Sequence, residues 1–274
     1  METTVPPKAE VFGVGLSLVD YDAAGRAIIA AARARRSFAM TALATHGLVE
    51  AARDPVLAAA INRFDLVTPD GQPVRWALNL LREAGLSDRV AGPDLLWRVC
   101  AAASAARIGV FVYGSTPAIC ARMVSRLRVR LPDLEIAGIQ PDRFREAAPE
   151  EDEADVRRIN ASGAGIVLVG RGCPRQEFWV AAHRGRIHAA MLAVGAAFDF
   201  AAAAVPRAPL WMQRRGLEWL HRLAHDPRRL FARYARTNGL FMLMLGQALV
   251  RRTLAATSAG PQTRADARRE GGAR

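Results

Sequence analysis

Four short turns hold the residue types best suited to chemistry. Asp70 sits between Pro69 and Gly71, directly after the apolar run Phe64–Val67. A rigid Pro and a permissive Gly would let a carboxylate there approach a ligand closely. The same carboxylate could instead cap the helix that starts at Pro73. In the second turn Tyr113, Gly114, Ser115 and Thr116 precede Pro117, so backbone N–H groups and hydroxyls gather at a helix start. That suits a phosphate, or simply a tight turn. The third, Gly170–Glu177, combines Gly172 for close backbone approach with Gln176, whose amide can both donate to and accept from sugar hydroxyls. The fourth, Gly195–Phe200, places Asp199 in an apolar run, where an acid is expected to be buried and partnered.

Competing chemistries find less support. Asp20, Tyr21 and Asp22 spell an Asp-x-Asp pair, but their place at the start of an amphipathic helix favours capping. His221 and His225 are spaced i, i+4 without the Glu of a zinc-protease helix, so no metal is expected. Gly13, Val14 and Gly15 lack the third glycine of a dinucleotide fingerprint, so no NAD or other cofactor is expected. Cys100, Cys120 and Cys173 form no CxxC and read as apolar fillers in a reducing compartment.

The elements that must position these turns follow from periodicity. Apolar runs at 11–16, 37–43, 64–67, 107–113, 134–139, 165–169 and 189–194 read as strands. Between them lie helical patterns: one to about Arg35, one over 47–62 that bends or restarts near Pro55, and one from Pro73 to Glu83. Further helices are predicted over 117–130, to Ala161 after the acidic Glu150–Glu153, and from Arg175. This alternation predicts an α/β fold, a Rossmann-like parallel sheet with flanking helices, over residues 10–205. In such sheets ligands bind beyond the C-terminal ends of the strands, where the four turns fall.

After Phe200 the pattern becomes helical: Trp211–His225, Pro227–Thr237, then the apolar stretch Leu240–Val250. Eleven residues span roughly 16 Å as a helix, too short to cross a bilayer. Residues 206–252 are therefore expected to form a helical appendage and 253–274 a disordered tail. The 274-residue chain has a net charge of +12, and from Pro206 onward 14 Arg face four acids, so +10 of that excess belongs to one end. Such charge fits either nucleic acid or an anionic membrane. Interleaved Trp211, Trp219, Leu220, Leu223, Leu230 and Phe231 favour the membrane surface over nucleic acid. The opening METTVPPKAEVFG has no secretory pattern, so a cytoplasmic location is expected.

Taken in order, six blocks resemble the bacterial WecG/TagA/CpsF glycosyltransferase family: AINRFDLVTPDG (Ala60–Gly71), RVAGPDLL (Arg89–Leu96), VYGS (Val112–Ser115), VLVGRGCPRQEFW (Val167–Trp179), VGAAFDF (Val194–Phe200) and RAPLWMQRRGLEWLHRLAHDPRRLFARY (Arg207–Tyr234). The likeness covers roughly residues 10–250. It implies inverting transfer of a sugar from a UDP-sugar to an undecaprenyl-diphosphate-linked acceptor, on the inner face of the cytoplasmic membrane. By the resemblance Asp70 would be the general base, with Gly71 beside it. Gln176 would hold the sugar and Arg89 would lie near the site. Arg207, Arg214, Arg222 and Arg228 are the candidates to neutralise the leaving diphosphate without a metal. Gly114, Ser115, Gly172 and Asp199 complete the expected substrate-binding set.

Departures are visible. Where the family has Thr-x-Asn, this chain reads LATHGL (Leu43–Leu48), so Thr45 or His46 would take over that contact. Arg171 and Cys173 replace apolar residues, and Arg175 replaces Lys. The HGLVEA and WMQRRGLEWL spellings look like exopolysaccharide-type members. Neither the donor sugar nor the oligomeric state, a homo-oligomer among the options, follows from these residues.

Overall fold

The computed structural model of the chain describes residues 6–258. The chain opens with β1 (Lys8–Val11) and β2 (Val14–Ser17), then α1 (Tyr21–Arg33), β3 (Phe38–Leu43), α2 (Thr45–Arg53), α3 (Pro55–Asn62) and β4 (Leu66–Pro69). Next come α4 (Gln72–Arg82), α5 (Gly92–Ala105), β5 (Val110–Gly114), α6 (Pro117–Arg130), β6 (Ile136–Gln140) and α7 (Pro149–Ala161). The core ends with β7 (Ile166–Gly170), α8 (Arg175–His183), β8 (Ala190–Ala193) and the short α9 (Ala197–Ala201). The appendage is α10 (Leu210–Arg214), α11 (Glu218–His225) and α12 (Pro227–Ser258).

Six strands form one parallel sheet in the order β4-β3-β8-β7-β5-β6. The central strands β7 and β8 are apolar and buried throughout because both faces of the sheet are covered there. Ile166 and Leu168 enter the core beneath α1, α5, α6 and α9, while Val167 and Val169 enter the core on the opposite face. That alternation is the two-residue period of a strand put to use on both sides. The Rossmann-like expectation therefore holds.

Two corrections concern elements. The run 11–16 is not a sheet strand: Phe12 and Gly13, at φ 54° and 82°, turn the chain into an antiparallel hairpin outside the main sheet. α5, which the periodicity does not announce, follows the strap 84–91 and packs on α1. The helical pattern over 47–62 does restart at Pro55, where Asp54 accepts from the N–H groups of Val56 and Leu57. Asp20, not Asp22, caps α1 through Ala23 N–H at 2.7 Å.

The appendage also differs from expectation. α12 runs unbroken across Thr237–Gly239 and on through 253–258, so the helix reaches into the stretch expected as tail. The remaining tail residues, 259–274, lie outside the described residues. One face of α12 is core: Leu230, Thr237, Phe241 and Leu245 are buried, and the helix packs on α2 and α4. Arg252 pairs with Glu83 at the end of α4. The opposite face leaves Phe231, Met242, Leu243, Val250 and Leu254 exposed. Among the described residues no helix is long and apolar enough to cross a membrane.

Candidate active site

A cavity of about 780 Å³ opens beyond the C-terminal ends of β3, β4 and β8 and is closed on its far side by the appendage. Its core wall includes Thr45, His46, Asp70, Gly71, Arg89, Gly172 and Gln176. The appendage adds Arg215, Glu218, Trp219, Arg222, Arg233 and Tyr234. The volume lies in the range of small-molecule sites.

Asp70 is placed by backbone geometry. β4 ends at Pro69, and the Asp70 N–H donates to Leu43 O at 3.1 Å, continuing the pairing with β3. Gly71 then turns at φ 105°, a conformation a side chain would resist, and becomes the N-cap of α4 without a side-chain bond. Asp70 therefore does not cap the helix at Pro73. Its Oδ2 accepts instead from the Gly92 N–H at 3.0 Å, the first residue of α5, whose own N-cap Ala91 has no side-chain oxygen to offer. Burial pushes the Asp70 carboxyl up to about 6. Arg89, the Gly92 bond and Arg207 pull against that rise, and Glu218 adds to it. The carboxylate is thus ionised at neutral pH and more basic than an exposed one.

Arg89 lies on the strap between α4 and α5, fixed beside β4 by Val90 N–H to Pro69 O at 3.0 Å and by Thr68 Oγ1 to Val90 O at 3.2 Å. Its Nη2 donates to Glu218 Oε2 at 2.6 Å, a buried ion pair between core and appendage. Arg207 makes the reciprocal bond: its two Nη atoms reach Asp94 of α5 at 2.7 and 3.0 Å. Tyr21 ties the same segment to α1, accepting from Ala91 N–H at 2.9 Å and donating to Asp94 at 3.3 Å. Arg207 and Arg222 both lie 5.5 Å from the centre of the Phe200 ring, a cavity-lining aromatic.

On the other flank Gln176 is buried in the first turn of α8. Its Nε2 donates to Glu177 Oε1 at 2.9 Å, which also accepts from Thr41 Oγ1 at 2.9 Å. The Gln176 Oε1 is buried with no partner in the protein. An acceptor in that state beside a cavity is suited to a ligand's O–H or N–H. Burial raises the Glu177 pKa against these bonds, so this acid is held toward its neutral form. His46, 3.5 Å from Thr237 Oγ1, has its pKa lowered by burial and by Arg233, opposed by Glu50, and is neutral at pH 7.

Other expected residues fall elsewhere. Gly114 and Ser115 lie off the cavity wall, at the end of β5. A Cβ on Gly114 would meet Gly170 O at 2.6 Å, so the glycine serves close packing of two strand ends. The Ser115 N–H donates to Gly170 O at 2.8 Å and is not available to a phosphate. Asp199, on α9, is half-buried where full burial is expected, and is likewise off the cavity wall. Arg214 and Arg228 are exposed and off that wall, and Arg207 stands behind it on Asp94. Among the described residues no group of three or more His, Cys, Asp or Glu could hold a metal ion.

Three partners escape sequence reasoning: Tyr21, Asp94 and Glu218. Only Glu218 carries a signal, as one of four acids in a basic stretch of 69 residues.

The family model for the glycosyl transferase WecG/TagA/CpsF family matches residues 9–255. The chain belongs to this family. Membership makes this WecG/TagA/CpsF protein a glycosyltransferase of cell-surface polysaccharide synthesis, which implies a sugar donor and a lipid-linked acceptor. The match includes the appendage as well as the α/β core, so the cavity between them lies inside the family unit.

Proposed function

We propose that this WecG/TagA/CpsF glycosyltransferase moves a sugar from a UDP-sugar to a hydroxyl of an undecaprenyl-diphosphate-linked acceptor, with inversion and without a metal. Asp70 acts as general base. It takes the proton from the acceptor hydroxyl while that oxygen bonds to the anomeric carbon and the bond from that carbon to the UDP oxygen breaks. The observation that carries this reading is the position of Asp70: a carboxyl whose pKa burial raises to about 6, in the wall of a cavity of about 780 Å³ that both core and appendage line. A base with a pKa just below the working pH combines full ionisation with useful proton affinity.

Gln176 Oε1 accepts from a sugar hydroxyl or amide. Arg222, with Arg89, Arg215 and Arg233 on the same wall, offsets the charge that develops on the departing diphosphate. The exopolysaccharide-type assignment rests on the HGLVEA and WMQRRGLEWL spellings alone.

The exposed apolar face of α12, with Arg228, Arg236 and Arg251 exposed along the helix, rests on the inner surface of the cytoplasmic membrane. Leu210, Trp211 and Leu220 extend the same apolar character to α10 and α11.

The test is a panel of UDP-sugars with a short polyprenyl-diphosphate-sugar acceptor, in buffer containing EDTA. UDP release with at least one donor, dependent on acceptor, is the expected result. No turnover with any donor, or turnover only after a divalent ion is restored, contradicts the reading.

A further inference from the structure

Asp70 has two polar influences from the core, the Gly92 N–H at 3.0 Å and the charge of Arg89, and both arise from the segment 89–94. The appendage grips that segment at each end. Glu218 of α11 holds Arg89 at 2.6 Å, and Arg207 holds Asp94 through a two-pronged pair. Glu218 also lies 3.4 Å from Arg207 Nε, so the two grips share one acid. The Arg89 and Glu218 side chains are only 8% and 14% exposed, which leaves water little part in solvating either charge.

A guanidinium so enclosed must be paired. The acids whose charges act on Arg89 are Asp70, Glu218 and Asp94, and Asp94 is already held by both Nη atoms of Arg207. If Glu218 lets go, Asp70 is the remaining acid not already in an ion pair. An Asp70 carboxylate in full ion pair with Arg89 would be a poor proton acceptor.

We propose that Glu218 is a positioning residue of the transfer site: by pairing with Arg89 it keeps that guanidinium off the Asp70 carboxylate, so the base is reactive only when the appendage is seated. This rests on the reading of Asp70 as base. It assigns the appendage a second task besides supplying arginines, since its one acid in the cavity wall governs a core residue it does not bond. The charged and titratable groups acting on Asp70 are Arg89, Glu218 and Arg207, with Tyr21 near enough to feel its charge.

The test follows Asp70 itself and needs no substrate. Full-length protein labelled with 13C at the Asp carboxyls is titrated by NMR, with the Asp70 signal assigned by its loss in Asp70→Asn. In wild type that signal should titrate near pH 6. In Glu218→Gln it should move down by about one pH unit or more, the shift expected when a cation closes on a carboxylate, and Glu218→Asp should restore most of it. A Glu218→Gln protein that is folded but less stable, with the Asp70 titration unmoved, overturns the proposal and leaves Glu218 a structural latch. If Glu218→Gln does not fold, the charge-neutral pair Arg89→Gln with Glu218→Gln decides. An Asp70 titration at or above the wild-type pH supports the proposal, and one below it overturns it. Asp70→Asn that keeps full turnover would remove the base reading separately, whatever the titration shows.

Discussion

The Asp70 carboxylate caps a helix that begins 22 residues later: its Oδ2 accepts from the N–H of Gly92, the first residue of α5. The bond gives a reactive acid a fixed direction without neutralising it. Burial still outweighs the bond, so the folded protein holds this proton more tightly than the unfolded chain does.

That imbalance has a sign. A carboxyl whose pKa is raised from 3.8 to about 6 binds more protons in the native state between those values. Stability therefore falls as pH rises through that window, and the ionised group costs about 1–3 kcal/mol above it. Asp70→Asn should raise Tm at pH 7.5 and leave it nearly unchanged at pH 4, because asparagine keeps the acceptor for Gly92. Thermal melts at the two pH values check this; a lower Tm at both would show that the charge is not destabilising.

Gln176 offers an unpartnered acceptor while Glu177 holds its amide nitrogen. Gln176→Ala should lower kcat/KM by about 10–100-fold, a lost ligand bond plus a disturbed Glu177, and leave UDP affinity within about threefold. Steady-state kinetics beside calorimetric UDP binding separates the two. Equal loss of both would move Gln176 from the sugar to the nucleotide.

The two faces of α12 should respond differently. Leu243→Glu with Val250→Glu, both on exposed positions, should reduce co-sedimentation with vesicles containing anionic lipid by at least about fivefold while the fold survives. Phe241→Ala, on the packed face, should instead destabilise the protein by about 3–5 kcal/mol. Vesicle binding unchanged in the double variant would place the membrane contact elsewhere.

What the chain discloses before folding is its local chemistry. α6 is read at its full 117–130 because Thr116 and Pro117 mark its start in neighbouring residues. α5 goes unread because its capping oxygen comes from Asp70, across the site. The hairpin at 8–17 goes unread because Phe12, not Asn or Asp, precedes the turn glycine. Asp70 and Gln176 reach one cavity as the turns suggest, whereas the Ser115 N–H is claimed by a strand 55 residues away. The Arg89–Glu218 pair is likewise a tertiary fact: 129 residues separate its members.

The most direct measurement is the turnover of Asp70→Asn beside its UDP affinity, using the donor that the UDP-sugar panel selects. A general base contributes about 10²–10⁴ in rate. The account predicts a kcat at least about 100-fold below wild type with a UDP Kd within about threefold. A kcat within about threefold of wild type would contradict it.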